Sequence, residues 1–353
     1  MNPLRCAVIG AGHLGRIHTR LAQSLPDVEL VGVVDPLPEA RARVAGEFGV
    51  RAFADLEELA EHIDAAIVAA TTAQHFSVCR ALLRRGIHVL VEKPITAAVD
   101  EADELIALAR ARQLVLQVGH VERFNPAWSA VAPLVRRPRY IEAVRSGSYT
   151  FRSTDVSVVL DLMIHDLDLT LSLVRSPVVE VDAVGVTVFG PHADMVHAHL
   201  RFANNCVASL NAARTSFQVQ RTMHLITDRV YAGVDFASSV AKVVRPTQEV
   251  LTGRLDVHHL SAPEQDHLRQ NLFTELLPMR EIQVEKRNAI LDEQQEFVNC
   301  IRHGHAPRVT GQQARDCLAV AERIEQSVAA KQRPHLRPHQ TGSPWPATRR
   351  KAG

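Results

Sequence analysis

Residues 4–15 read LRCAVIGAGHLG, and this stretch decides the fold of the N-terminal half. Its apolar opening reads as a strand buried in a parallel sheet. Gly10-x-Gly12-x-x-Gly15 follows, and a helix pattern runs from about Leu14 to Leu25. A second strand, VELVGVVD, ends at Asp35, twenty positions after Gly15. Strand, glycine turn, helix, strand and acid stand in the order that a dinucleotide site requires. Gly10 permits the tight turn, Gly12 lets a pyrophosphate approach the backbone, and Gly15 lets helix and strand pack closely. The first helical turn, with His13 and Leu14, offers free N–H groups and partial positive charge to the phosphates. Asp35 is placed to accept hydrogen bonds from both ribose hydroxyls and to repel a 2′-phosphate, which favours NAD over NADP. The alternative is a glycine turn that merely packs.

The alternation continues downstream. A helix pattern, PEARARVAGEFG, precedes a candidate strand AAIVAATT at 65–72. A helix around 75–85 leads to the strand HVLVEKP at 88–94, a helix spans about 98–112, and a last strand, LVLQVGH, ends at His120. Alternating strands and helices predict an α/β fold with a doubly wound parallel sheet. Thr71, Thr72, Glu92 and Lys93 then lie at carboxyl ends of strands, where ligands bind in this architecture. Lys93 either reaches solvent or points at a nicotinamide. In the second case its charge favours the alkoxide-like oxygen that develops during hydride transfer.

A chain of 353 residues is too long for one ordinary core and predicts two domains. Hydrophobic residues make up 46% and charged residues 22%, as in soluble globular proteins. A net charge of +1 gives no argument for nucleic acid or an anionic membrane as partner. No apolar run reaches the ~20 residues of a membrane span, and the N-terminus lacks a signal-peptide layout. Five scattered cysteines (Cys6, Cys79, Cys206, Cys300, Cys317) read as reduced structural thiols of a cytoplasmic protein.

Residues 160–169, LDLMIHDLDL, read as a helix with an unusual stripe. At ~100° per residue, Asp161, His165 and Asp168 fall within roughly 60° of one another, and Leu160, Met163, Ile164 and Leu167 lie on the other side. Ionisable groups are costly to bury alone, so water solvates this stripe or it lines a site. A D-x3-H-x2-D pattern is able to hold a divalent metal, but a nicotinamide site upstream explains the same residues, and no metal is expected.

Three separated segments together carry a family resemblance. Gly10–Gly15, Glu92-Lys93-Pro94 and Asp161-x-x-x-His165 resemble the glucose–fructose oxidoreductase/inositol dehydrogenase (Gfo/Idh/MocA) family over roughly residues 4–330. The resemblance implies that Lys93, Asp161 and His165 converge on nicotinamide and substrate, and that Asp35 contacts the NAD ribose. The family's TPxxxH-like segment appears as Thr71-Thr72-Ala73-Gln74-His75, with Thr72 in place of the usual proline. A finer resemblance, in VGHVERFNPAW (118–128) and DVSVVLDLMIHDLDL (155–169), is to the branch of UDP-N-acetylglucosamine 3-dehydrogenases. That branch oxidises the sugar C3 hydroxyl to a ketone, which an aminotransferase then aminates.

The resulting expectation is a Rossmann domain over 1–120 and an α+β domain over 121–331 with a large, mostly antiparallel open sheet. Asn125 caps a short helix that Pro126 starts. Strand patterns then follow the His165 helix, residues 240–285 show no sustained period, and two helices at about 287–302 and 311–330 pack back toward the first domain. One face of the sheet needs a cover, which the resemblance implies is another subunit, in a dimer or tetramer. The basic tail, 332–353, is expected to be disordered. In the proposed chemistry His165 is the general base, Asp161 orients the imidazole or a substrate hydroxyl, and Lys93 polarises the same oxygen or shares the relay. Asp168 is assigned a supporting or solvated role. His120 touches nicotinamide or sugar, or is structural. Arg123, Arg152 and Arg214 are candidates for a substrate phosphate or carboxylate. A free sugar or inositol would need no such arginine. A non-catalytic NAD-sensing regulator would keep the glycine turn without needing Lys93 and His165. A redox-neutral reaction on tightly bound NAD also remains open.

Overall fold

The computed structural model describes residues 2–59, 62–151 and 156–331. The first half alternates as its sequence predicts, with one short strand, β3, that the sequence reading did not include: β1 (Leu4–Ile9), α1 (His13–Gln23), β2 (Val28–Val34), α2 (Pro38–Phe48), β3 (Arg51–Phe53), β4 (Ala65–Val68), α3 (Thr72–Arg84), β5 (His88–Glu92), α4 (Val99–Ala111) and β6 (Leu116–Gly119). The six strands form a wholly parallel sheet in the order β3-β2-β1-β4-β5-β6. The order reverses between β1 and β4, which opens a crevice at their carboxyl ends. Two contacts show why positions 10 and 15 cannot carry side chains. A Cβ on Gly15 would lie 1.8 Å from the Gly10 carbonyl oxygen, and Gly10, at φ +105°, abuts Ala69.

A short helix, α5 (Pro126–Val131), leads into the second unit, with the Asn125 side chain accepting from Ala127 N and Pro126 at the first position. Then come β7 (Tyr140–Ser146), a π-helical turn (Val159–Met163) running directly into α6 (Ile164–Val174), β8 (Val178–Val186), β9 (Met195–Phe202), β10 (Val207–Ala213), β11 (Gln220–Ile226), β12 (Tyr231–Asp235) and β13 (Val240–Val244). Two short helices follow, α7 (Gln248–Leu251) and α8 (Ala262–Gln270), before β14 (Met279–Ile282), α9 (Ala289–His303) and α10 (Gly311–Lys331). The eight strands are ordered β14-β13-β12-β11-β7-β10-β9-β8, antiparallel throughout except for the parallel pair β7–β10. β13 and β14 lie in the stretch without period. They are only five and four residues long and pair across a separation in sequence that no local pattern marks.

Strand alternation decides which face of this sheet is covered. Ile141, Ala143, Ala198, Leu200, Ala208, Leu210, Met223 and Leu225 point inward against Met163, Ile164 and Leu167 of the site helix and Ala321 and Ile324 of α10. Burial of each large apolar side chain contributes about 1.5–3 kcal/mol. The opposite face carries Glu142, His197, His199, Arg201 and the exposed Val184 and Val186. The last two helices tie the sheets together: Leu318 packs into the core of the first sheet, as does Phe297 on its other side. All five cysteines are free and buried. No described helix is long and apolar enough to cross a membrane. The tail expected to be disordered, 332–353, lies outside the described residues.

Candidate active site

Lys93 directly follows β5 and reaches across to the second unit. Its Nζ donates to the backbone carbonyl of Asp161 at 2.6 Å and lies 3.8 Å from the Asp161 carboxylate. Burial pulls the ammonium pKa down from its ordinary value, with Asp161 and Glu92 opposing that pull. His165 follows Asp161 along the same helical segment. Its Nδ1 is buried without a partner among the described residues. Burial, and then the charges of Lys93, Arg145, His120 and Arg221, hold the imidazole well below its usual pKa. At neutral pH His165 is therefore a neutral ring with a lone pair to offer. Asp161 is bound to Lys93 rather than to His165, so its charge steadies the ammonium instead of an imidazolium.

The angular stripe read from the sequence holds only in part. The π-helical turn winds more loosely than 3.6 residues per turn, so the ~100° spacing fails between Asp161 and His165. Asp168 is neither solvated nor open to substrate. It is 2% exposed and grips Arg123 at 2.6 Å and 3.1 Å through both oxygens. That ion pair commits Nε and Nη2 of Arg123, expected as a substrate-binding group, to a buried carboxylate. Arg214 is likewise committed. Its Nε donates to Asp194 at 2.7 Å and Nη1 to the Val156 carbonyl, while Asp194 also receives the Val188 and Phe189 amides of the β8–β9 turn. Arg152 lies outside the described residues.

The remaining predicted residues divide between the crevice and its support. Gly12 and His13 are exposed at the head of α1, and Leu14 is 39% exposed. No side chain caps this helix and no acid stands in its first turn. Nothing lies within 4 Å of the point where a Gly12 Cβ would be. Asp35, just past β2, accepts from Ala11 N at 2.7 Å and Leu37 N at 2.9 Å, so it also braces the glycine turn. Thr71 is the N-cap residue of α3 and Thr72 its first helical residue. His75 is turned inward: Nδ1 lies 2.8 Å from Pro94 O and Nε2 3.1 Å from Ala70 O, bracing the cis Lys93–Pro94 bond. The Glu92 carboxylate also faces inward, 2.7 Å from His18 Nε2. His120 is 1% exposed, and neither ring nitrogen has a partner among the described residues.

These features fit a dinucleotide. An uncapped helix N-terminus and the open space over Gly12 would take the pyrophosphate, Asp35 a ribose, and the orphaned nitrogens of His120 would face the nicotinamide end. Among the described residues no group of three or more His, Cys, Asp or Glu side chains is gathered as a metal site. Asp161 and Asp168 are engaged by cations of the chain itself.

Several supporting residues were missed in the sequence. Arg145 is 4% exposed, donates to both oxygens of Asp166 at 3.0 Å and 2.8 Å, and donates to Glu122 at 2.8 Å. Strand parity could have found it, since Ile141, Ala143 and Arg145 alternate onto one face and the third is charged. His18 sits on α1, where its Nδ1 accepts from Gln294 Nε2 at 2.8 Å. Its Nε2 therefore carries the proton and donates to Glu92. Next to Gln294, the carboxyl of Glu293 is fully buried without a partner among the described residues. No local signal announced Glu293 or Gln294.

Comparison with known proteins bears on the same regions. The family model described as "Oxidoreductase family, NAD-binding Rossmann fold" matches residues 4–120, and that of the GFO/IDH/MocA C-terminal domain matches 134–229. A UDP-N-acetylglucosamine 3-dehydrogenase of Acidithiobacillus ferrooxidans is 35% identical over 331 residues, covering 93% of this chain and 98% of the relative. Its solved structure superposes with a TM-score of 0.81 at 34% identity, over 94% of this chain and 99% of that one. A scyllo-inositol 2-dehydrogenase (NAD(+)) of Bacillus subtilis is 26% identical over 87% of this chain and 89% of its own.

Proposed function

The chain belongs to the Gfo/Idh/MocA family of NAD-binding oxidoreductases, and from that premise we propose that it oxidises the C3 hydroxyl of UDP-N-acetylglucosamine to the 3-keto sugar. One observation carries the chemistry: Lys93 of the first sheet is hydrogen-bonded to the helical segment that bears His165. The substrate reading rests on the A. ferrooxidans relative, which matches over nearly its whole length.

Bound NAD supplies the hydride acceptor. The rest falls to side chains of the chain. His165, neutral and with an unengaged Nδ1, takes the hydroxyl proton. Lys93 donates to the same oxygen and favours the negative charge that grows on it. Asp161 holds the ammonium in place by its carbonyl and its carboxylate. Glu92, buried against His18, and His75, against Pro94, fix the backbone on either side of Lys93. A regulator without catalysis would have no use for this arrangement.

We infer further that the protein works in the cytoplasm as a homo-oligomer closed through the open face of the second sheet. The five reduced, buried thiols support the first point, and the exposed Val184, Val186 and Met195 on that face support the second. Sedimentation or light scattering of the purified chain checks the oligomer; a monomer at micromolar concentration refutes it.

The test of function is to mix protein, NAD and UDP-N-acetylglucosamine and follow reduced nicotinamide, with an amine acceptor to trap the 3-keto product. UDP-glucose, free glucose and myo-inositol run alongside. Reduction with the UDP-amino sugar supports the proposal. Silence there, with signal from a free polyol, rejects the nucleotide-sugar substrate and keeps the family chemistry.

A further inference from the structure

A nucleotide sugar brings a diphosphate, which needs a cation, and two arginines expected to serve are committed elsewhere. Arg123 is held by Asp168 and Arg214 by Asp194. The register of the second sheet supplies a third. On β7 the residues facing the helices are Ile141, Ala143 and Arg145, and directly opposite them on β11 stand Leu225, Met223 and Arg221. Opposed residues of an antiparallel pair project to the same face. The first two pairs are buried under the helices and Arg145 is nearly so, but Arg221 is exposed. Arg221 thus continues the covered face just past the edge of its cover, at the lip of the site.

Two arginines directly opposite each other repel unless anions intervene. Arg145 is already served, with Nε and Nη2 on Asp166 and Nη1 on Glu122. Its guanidinium also lies 5.5 Å from the ring of Phe236, whose backbone N–H donates to the Arg221 carbonyl at 2.8 Å. Among the described residues, no side-chain hydrogen bond or ion pair engages the Arg221 guanidinium. Its charge is nonetheless felt at His165 and at Asp166, which places it within electrostatic range of the reacting centre. In a sugar 1-diphosphate the phosphates hang from the anomeric oxygen on C1, two ring atoms from C3, and so lie outside the ring and apart from the reacting hydroxyl. Their binding group therefore belongs at the lip rather than beside His165.

We propose that Arg221 binds the diphosphate of the substrate and so selects nucleotide sugars over free sugars, an assignment that rests on the substrate reading above. A guanidinium fork matches two phosphate oxygens at once, which an ammonium does not.

The test is titration of the NAD-bound protein with UDP by calorimetry, in wild type, Arg221→Gln and Arg221→Lys. Loss of charge-assisted bonds is expected to raise the Kd for UDP about 10- to 100-fold in the glutamine variant. A smaller rise is expected in the lysine variant, and an unchanged Kd for NAD in both shows that the fold is intact. Equal UDP affinity in wild type and Arg221→Gln overturns the role of Arg221 and leaves the substrate reading standing. No binding of UDP to wild type at millimolar concentration overturns both. UDP affinity that depends on Arg221, with no oxidation of UDP-N-acetylglucosamine, supports the phosphate site and rejects that sugar.

Discussion

Lys93 Nζ donates a 2.6 Å hydrogen bond to the backbone carbonyl of Asp161, so the residue just past a strand of the first sheet is fixed by the helical segment of the second. The bond makes the position of the ammonium depend on both halves of the chain. It also leaves Lys93 with donors to spare, since an ammonium has three.

Lys93→Met removes the charge and keeps much of the volume. Turnover is expected to fall about 10²- to 10⁴-fold, the range for a group that assists proton transfer, while NAD affinity holds. Steady-state rates and a fluorescence titration with NADH check both parts. Turnover near wild type removes Lys93 from the chemistry.

The pH profile of kcat/KM should be a bell displaced on both sides. As the proposed base His165 has to be neutral, and burial followed by the Lys93 charge pushes its pKa well below 6.5, so activity should be lost only at pH well under that value. In its proposed role Lys93 has to be protonated, and burial lowers its pKa from 10.5, so the alkaline limb should fall below that of a free lysine. His165→Gln should slow the reaction about 10²- to 10⁴-fold and abolish the acid limb. An acid limb at or above pH 6.5 in the wild type would assign the base elsewhere.

Asp35→Ala removes one bond to the glycine turn, from Ala11 N, and one to the head of α2, from Leu37 N, together with the acceptor placed for the ribose. NAD affinity should drop at least tenfold, and discrimination against NADP should weaken because the repelling charge is gone. Parallel titrations with the two cofactors decide it. An unchanged dissociation constant for NAD contradicts the ribose role.

How much of this was legible follows from the range of each signal. The six-stranded sheet announced itself because each of its marks is local: Gly10 and Gly15, Asp35, and apolar runs between helix patterns. Lys93 and His165 were legible as motif positions. The partner of Asp161 was not, because the π-helical turn breaks the regular angle that a sequence count assumes. Arg123 and Arg214 read as free cations, since the carboxylates that engage them stand 45 and 20 residues away. Arg145 was legible by strand parity and was overlooked. Glu293 sits in the run DEQQE, which reads as a solvated helix face, yet α9 turns it against the first sheet.

The Arg123–Asp168 pair should behave as a coupled buried ion pair. Arg123→Ala leaves a carboxylate at 2% exposure without its cation, and breaking such a pair costs about 3–5 kcal/mol. Adding Asp168→Ala should restore part of that loss, since no buried charge then remains. Urea unfolding of the two single variants and the double variant measures it. Additive losses would mean that the two residues are not coupled.

Glu293→Gln should stabilise the protein, and by more as pH rises. The buried carboxyl has no partner among the described residues, and its pKa is raised well above 4.5, by burial first and then by the neighbouring Glu92, Glu296 and Asp168. In the unfolded chain the same group gives up its proton near pH 4.5, so above that pH the folded state binds more protons than the unfolded state. Stability then falls with rising pH, by at most about 1.4 kcal/mol per unit for one proton, until the folded group also ionises. Glutamine keeps the shape and carries no titration. The two proteins should therefore be close in stability near pH 4.5 and diverge through pH 7 in favour of the variant, as urea midpoints at several pH values would show. A difference that stays flat with pH would mean that Glu293 is ionised in the folded protein and that a cation or bound water compensates it.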